Sequence, residues 1–492
     1  MAAHTVPGPT RPRGSALWLL PAFVLLLLSQ GRAIVPAAAW LAPVVMLRFV
    51  RARGAWTGIV AGLFATWLAF VIGWRGMIPV RGGLYLLIAL LFALVQFGPF
   101  AIDRVTSRRL GPLGWLVLPF AAVTMELLSA RLNPYGSWGA VAYTQAQNLP
   151  LIQMVSVTGL GGIAFLIAWF AVTVNGAWES GFSWQRCREQ VLAFAAAITV
   201  ILLLGGVRLL SKPGDATRIA SFSVIPPRSL SMGDLLFRHR TKAGEDSLKA
   251  PLRVLQDSLL VAADREAMAG ALIVFWSECN GLVLKTDEEA FIARGEALAR
   301  ARGIYLGMAL AVFTPGEGFY ENELVLCCPE GKTLARYHKS RPVPSDPERG
   351  ADRHLAVAET AYGRAALAIC FDADFPDQMR DVGRGRAGLL LLPSSDWKAI
   401  DPIHTRMALF RGIENGCSVV RQTAKGLSAA TDAYGRVLAS ADYFYTGPIT
   451  MVAQVPTRRV KTIYRRIGDL FSWACIGGLG FVTLAAVASR RT

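Results

Sequence analysis

Apolar residues run almost unbroken from residue 15 to residue 210. They then give way to short apolar runs set among polar stretches, and return at 469–488. A helix that crosses a bilayer needs about 20 apolar residues, or about 17 at the short end. Segments 15–31, 34–50, 55–74, 83–102, 112–130, 151–174 and 190–210 meet that measure, as does 469–488. The first two are separated only by Gln30 to Ala33, which predicts a tight helical hairpin. More spans follow and no small-residue cleavage site is evident, so the first run reads as a retained span and not as a signal peptide. Between 212 and 467 the period changes. Strand-like runs fall at Arg218–Ile225, Ala271–Trp276, Ile304–Phe313, Glu323–Cys327, Ala365–Ile369, Gly388–Leu392 and Ser418–Arg421. Helical patterns fall at 247–268, 286–302, 376–382 and 402–415. The expected division is a seven-helix membrane domain (1–211), a mixed α/β domain with packed layers of sheet and helix (212–467), and a last span with its tail (468–492).

Composition agrees. Of 492 residues, 53% are hydrophobic and 17% charged, against about 25% charged in a soluble domain. The net charge of +17 is uneven. Residues 212–467 hold 34 Lys and Arg against 29 Asp and Glu, whereas the rest holds 17 against 5. The excess therefore sits in short loops between spans, where it sets topology and meets anionic lipid; it is not a nucleic-acid footprint. One set of span ends carries Arg11, Arg13, Arg48, Arg51, Arg53, Arg104, Arg108, Arg109, Arg186, Arg188, Arg490 and Arg491. The alternate ends carry Arg32, Arg75, Arg81 and Arg131. The richer set is expected in the cytoplasm, which puts the 212–467 domain on the opposite face.

Candidate chemistry lies in three places, each after a strand-like run: Trp276-Ser277-Glu278, Tyr337-His338-Lys339 and Ile369-Cys370-Phe371. A carboxylate, an ammonium and a thiol at strand exits can meet at one sheet edge. There Cys370 can act as nucleophile, Glu278 as general base, and Lys339 as the charge that favours thiolate and oxyanion. With Pro376 suited to the first turn of the next helix, Cys370 is expected near a helix N-terminus, which lowers a thiol's pKa. Glu126, inside the fifth span, is either a polar contact on a lipid headgroup path or a hydrogen bond to a neighbouring helix. Asn133 to Trp138 and on to Pro150 is polar, aromatic and breaker-rich, and is expected on the same side as the large domain. Seven cysteines without a CxxC pair, and five scattered histidines, give no zinc spacing and no disulfide framework. Cys327 and Cys328 read as core packing. Gly383 to Gly388 spells GxGxxG but precedes a strand, so it lacks dinucleotide-binding geometry. No GxSxG is present.

The Glu, Lys and Cys blocks, in this order and spacing, resemble the nitrilase (carbon–nitrogen hydrolase) superfamily. That resemblance implies an α-β-β-α sandwich and a Glu278-Lys339-Cys370 triad. With the spans around it, nearly the whole chain resembles the apolipoprotein N-acyltransferase family. Ala121–Arg131 with Glu126, Tyr143 to Gln145, Gly159–Leu166, Tyr320-Glu321-Asn322, Gly331, Ser394 to Trp397, His404 to Ala408 and Arg411–Asn415 all match. Departures are local. The family's Trp-Pro-Glu-Thr is Trp276-Ser277-Glu278-Cys279 here, and its Tyr-Glu after the Cys is Phe371-Asp372. Its second active-site Glu, eight positions after the Lys, falls on Pro347, so Glu348 and Asp346 are both candidates. The resemblance implies a phospholipid acyl donor, a diacylglyceryl-modified apolipoprotein acceptor, no metal or organic cofactor, and a multi-pass protein of the bacterial inner membrane with its catalytic domain on the periplasmic side. A membrane-tethered amidase or nitrilase and a non-catalytic membrane scaffold are the alternatives.

Overall fold

The computed structural model describes residues 15–488 apart from 33, 213, 240, 345 and 449. Arg11, Arg13, Arg490 and Arg491, used above for orientation, lie outside the described residues. Helices form wherever the apolar pattern is unbroken. Among the described residues, six are long and apolar enough to cross a membrane: Ala55–Gly73, Gly82–Thr106, Leu113–Leu132, Leu160–Glu179, Trp184–Leu209 and Leu470–Ala488. The segments 15–31 and 34–50 fold as shorter helices, Leu19–Leu28 and Pro36–Ala52, which pack on each other. Gly31 makes their turn at φ 79°, where a Cβ would lie 2.6 Å from the carbonyl oxygen of Gly73. Part of the arginine excess is structural: Arg51 bonds Asp103 through Nε (2.9 Å) and Nη2 (2.8 Å), tying Pro36–Ala52 to Gly82–Thr106.

The sixth span departs from the expected 151–174. Asn148 caps a one-turn helix, Leu149–Ile152, by accepting from the Leu151 amide. A second short helix, Val155–Thr158, ends at Gly159 with φ 64°. The long helix starts only at Leu160 and runs to Glu179. Hydropathy alone cannot separate a capped turn from the helix that continues it.

Fourteen strands are described in 212–467, and they form two sheets. One holds β1 (Ala216–Phe222), β2 (Ile273–Trp276), β3 (Gly281–Leu284), β4 (Tyr305–Phe313), β5 (Tyr320–Cys328), β6 (Lys332–His338), β7 (Glu348–Arg349) and β14 (Met451–Pro456), with path β14-β1-β2-β4-β5-β6. The other holds β8 (Ala356–Thr360), β9 (Gly363–Leu367), β10 (Leu389–Ser394), β11 (Ser418–Thr423), β12 (Leu427–Thr431) and β13 (Val437–Asp442), in the order β13-β12-β11-β10-β9-β8. Parallel pairing joins β1, β2 and β4 in one sheet and β9, β10 and β11 in the other. These central strands are covered on both faces, which is why they read as continuous apolar runs. Helices Lys242–Met268 and Glu288–Arg302 pack on the first sheet. Ile403–Asn415 packs on the second, with Pro376–Arg384 beside it. The sheets face each other over one apolar core, giving an α-β-β-α sandwich.

The sandwich is seated on the helices by an apolar cluster drawn from both. Phe70, Trp74, Met77 and Tyr135 come from the helical part; Phe371, Phe375, Ile403 and Met407 come from the sandwich. Polar bonds fix the orientation. Trp397 Nε1 donates to the Gly76 carbonyl (2.7 Å), and Gln153 Nε2 donates to that of Tyr434 (2.8 Å). Ser137 donates to the Asp374 carbonyl from its amide (2.8 Å) and its hydroxyl (2.7 Å). The predicted outer-side loop 133–138 thus touches the turn that carries Cys370.

Candidate active site

Glu278 lies just past β2. Trp276 anchors that strand end by donating to the Ala309 carbonyl (2.9 Å). The Glu278 amide reaches across the sandwich to the Ser394 carbonyl (3.3 Å). Lys339 lies just past β6, and its amide donates to the Asn322 carbonyl (2.8 Å). Its ammonium donates to Glu278 Oε1 (2.8 Å) and to Glu348 Oε1 (3.0 Å) and Oε2 (2.8 Å). All three side chains are buried. Asn322 Nδ2 bridges both carboxylates at 2.8 Å each, and Tyr320 donates to Glu348 (3.0 Å). Burial alone would lower the Lys339 pKa, but the charges of Glu278, Glu348 and Cys370 outweigh it and hold the ammonium well above its ordinary range. Burial likewise opposes ionisation of Glu348, but Lys339 wins and keeps that carboxylate below its usual range.

Glu348 and Asp346 are separated by the fold. β7 pairs in parallel with the start of β5, setting Glu348 opposite Tyr320 and aiming its side chain at Lys339. Asp346 lines the pocket without an ion pair to Lys339, and burial followed by repulsion from Glu348 raises its pKa. The second carboxylate is thus nine positions after the Lys, supplied by a two-residue strand too short to show in the sequence. We expect Glu348→Gln to lower kcat/KM by about 10²-fold or more, on the scale of losing a charged hydrogen-bond partner in a site, and Asp346→Asn to change it less than about fivefold. Steady-state turnover by the two purified variants checks this. Equal losses would remove the distinction.

Cys370 opens a 3-10 turn, Cys370–Asp374, with φ 46°. A non-glycine residue in that region costs on the order of 1–3 kcal/mol and needs surrounding support. Asp372 gives it. Its Oδ2 accepts from the Ile369 amide (2.9 Å) and from Tyr337 Oη (2.8 Å), and its Oδ1 from the Arg341 amide (2.9 Å). Phe371 lines the pocket and meets Phe375 edge-on at 5.3 Å. The expected depression of the thiol pKa is not found. The Cys370 turn is one short 3-10 helix; burial first, then Glu278, push the thiol well above its ordinary value, while Lys339 and Arg421 pull the other way. A buried thiol therefore needs a base close by, more than a helix terminus.

Glu278, Lys339, Glu348 and Cys370 line one pocket, whose other wall is Met77, Tyr135 and Trp138 of the helical part. Glu126 is not among its lining residues. It accepts from the Val141 amide (3.0 Å) and faces a separate apolar cavity between the helices. A cluster that sequence reading did not assign lies beside Cys370. His404 Nδ1 is 2.7 Å from Asp396, its Nε2 is 3.1 Å from Asp374, and Arg421 bonds both oxygens of Asp396 (2.8 and 2.9 Å). A visible signal was Arg421, a charge at the end of the strand-like run Ser418–Arg421. Among the described residues, two clusters have metal-like donor spacing, Cys370-Asp396-His404 and Glu278-Cys279-Glu348. Each already holds a protein cation, Arg421 in the first and Lys339 in the second, so neither is assigned a metal.

Comparison with known proteins fits this arrangement. Residues 16–173 match the apolipoprotein N-acyltransferase N-terminal domain, and residues 250–465 match the carbon–nitrogen hydrolase family. An apolipoprotein N-acyltransferase of Geobacter metallireducens is 26% identical over 482 residues, covering 90% of this chain and 87% of that protein. One from Rhodopseudomonas palustris is 26% identical over 459 residues, covering 85% and 82%. Among solved structures, an amidase from Nesterenkonia sp. aligns at 21% identity and TM-score 0.39, covering 51% of this chain and 94% of that one. Fold and domain order define a multi-pass membrane enzyme built on a carbon–nitrogen hydrolase domain. The chain belongs to the apolipoprotein N-acyltransferase family.

Proposed function

We propose that this enzyme moves an acyl chain from a phospholipid to the α-amine of the lipid-modified N-terminal cysteine of an apolipoprotein, through a thioester on Cys370. The observation that carries this reading over hydrolysis is the apolar cavity inside the helix bundle. It shares Met77 and Trp138 with the thiol pocket and is lined deeper by Met46, Phe100 and Leu118. Along the helix Gly82–Thr106 its lining is Val95, Gln96, Pro99 and Phe100, well inside the span. A lipid tail lies in the ~30 Å hydrocarbon core, the layer in which this cavity sits. An acyl chain held there excludes water from its thioester, which favours an amine as the acceptor.

In the first half-reaction Cys370 Sγ gives its proton to Glu278 and attacks the ester carbonyl. The C–O bond breaks, Glu278 returns the proton to the leaving lysophospholipid oxygen, and the thioester remains. In the second, the acceptor amine attacks the thioester while Glu278 takes an amine proton. The C–S bond breaks, an amide forms, and the sulfur recovers the proton. Lys339 holds Glu278 in place and lends positive charge to each oxyanion. Glu348 and Asn322 position Lys339, and Asp372 braces the nucleophile's turn. Residues 1–211 form the membrane domain, 212–467 the catalytic domain and 468–492 the last span and tail. The arginine distribution supports an inner-membrane protein with its catalytic domain on the periplasmic face. The hairpin Leu19–Ala52 leaves that sidedness unchanged, since its two antiparallel helices return the chain to the face it left.

Intact-mass analysis of the full-length protein incubated with phospholipid tests this. A hydroxylamine-labile acyl adduct on Cys370, discharged by a diacylglyceryl-modified peptide, is the expected result. No adduct from phospholipid, with turnover of small amides or nitriles, would replace acyl transfer with hydrolysis.

A further inference from the structure

His404 sits in the first turn of the helix Ile403–Asn415 and is 3% exposed. Each ring nitrogen faces a carboxylate oxygen, Nδ1 that of Asp396 at 2.7 Å and Nε2 that of Asp374 at 3.1 Å. A neutral imidazole has one N–H and would point a lone pair at one of these anions, whereas the imidazolium donates to both. Arg421 Nη2 is also 3.0 Å from Nδ1, but both groups converge on Asp396, which is nearer to the ring. Two carboxylates thus face two cations. Asp374 depends on His404 heavily: its Oδ2 is buried without a hydrogen-bond partner among the described residues.

This cluster adjoins the nucleophile. Asp374 belongs to the same turn as Cys370. The Cys370 sulfur, an Asp396 oxygen and a His404 nitrogen lie within 4.8 Å of one another. The groups facing His404 are Asp374 from that turn, Asp396 from the segment after β10, Arg421 from β11, and Trp138 of the helical part, an uncharged ring edge-on at 5.9 Å. We propose that His404 is a positioning residue for the thiol: a fixed imidazolium that stops two buried carboxylates from opposing the Cys370 thiolate. Its proton stays in place throughout the reaction, and Glu278 alone exchanges one with sulfur. The local electrostatics agree. Burial lowers the His404 pKa, but Asp374 and Asp396 outweigh it and raise it to about 9. Asp396 works against the thiolate and Arg421 works for it.

The inference rests on Cys370 being the nucleophile, and the test separates the two ideas. The rate of Cys370 alkylation by iodoacetamide is followed against pH by peptide mass spectrometry, in full-length protein, for the parent, His404→Gln and Asp374→Asn. His404→Gln keeps hydrogen bonding and loses the charge; the alkylation midpoint should rise by at least about one pH unit. Asp374→Asn removes an anion from the same side, so its midpoint should fall. Opposite shifts are not produced by a merely structural contact. A changed melting temperature with unmoved midpoints would overturn the proposal, as would a rise in Asp374→Asn, which decides the matter even if His404→Gln does not fold. Acyl transfer that survives complete alkylation of Cys370 would instead overturn the nucleophile assignment.

Discussion

Cys370→Ala should abolish the acyl adduct and lower acyl transfer by about 10⁴-fold or more, the scale of losing a covalent nucleophile. The protein should still fold. Removing a buried sulfur whose hydrogen bond is long, 3.8 Å to the Ser395 carbonyl, leaves a small cavity, and a small large-to-small change costs about 1 kcal/mol. The brace that holds the turn, Asp372 to Ile369, Tyr337 and Arg341, does not involve the sulfur. Cys370→Ser is the sharper variant, because it keeps shape and hydrogen bonding and loses the polarisable nucleophile. Turnover of phospholipid with an acceptor peptide, beside a thermal melt, measures both effects. Full turnover in Cys370→Ser would mean that sulfur forms no intermediate.

Lys339→Met should damage stability as well as activity. The methionine chain fills the space of the lysine stem but leaves Glu278 and Glu348 facing each other, buried and unneutralised. Breaking a buried pair from one side costs on the order of 3–5 kcal/mol. The sign with pH follows. In the parent, Glu348 has a pKa below its unfolded value, so it contributes stability at neutral pH that is lost as pH falls through the folded value. In Lys339→Met both carboxylates lose their counter-ion, and the folded pKa of Glu348 moves above its unfolded value. Protonation then relieves the repulsion. The gap in melting temperature between parent and variant should therefore be wide at pH 8 and narrow near pH 5. A gap that does not depend on pH would show that Lys339 acts through packing and not through charge. Activity should be lost at every pH, since no cation remains beside Glu278 to lend its charge to an oxyanion.

Continuous apolarity determined a good deal of this protein. It marked the membrane helices, because lipid demands an unbroken apolar surface. It marked the central parallel strands, because both their faces are covered. Two of the chemical blocks were legible for the same reason: Glu278 and Cys370 each follow a buried apolar run, so position along the chain already implied position at a sheet edge. The edge strands gave no such signal. β6 is half-exposed, and β8 and β13 are mostly so, and they mix charged and small residues. Their pairing depends on partners distant in sequence. Tertiary structure alone decided that Lys339 is buried between two carboxylates, because its surroundings in sequence, Arg336 to Arg341, look like a solvated face. It alone chose Glu348 over Asp346, through a two-residue strand whose register is set by Tyr320. It also set Ser137, 237 residues away, against the carbonyl of Asp374 in the Cys370 turn. Local pattern records which surfaces avoid water; which buried charges meet depends on where the chain returns.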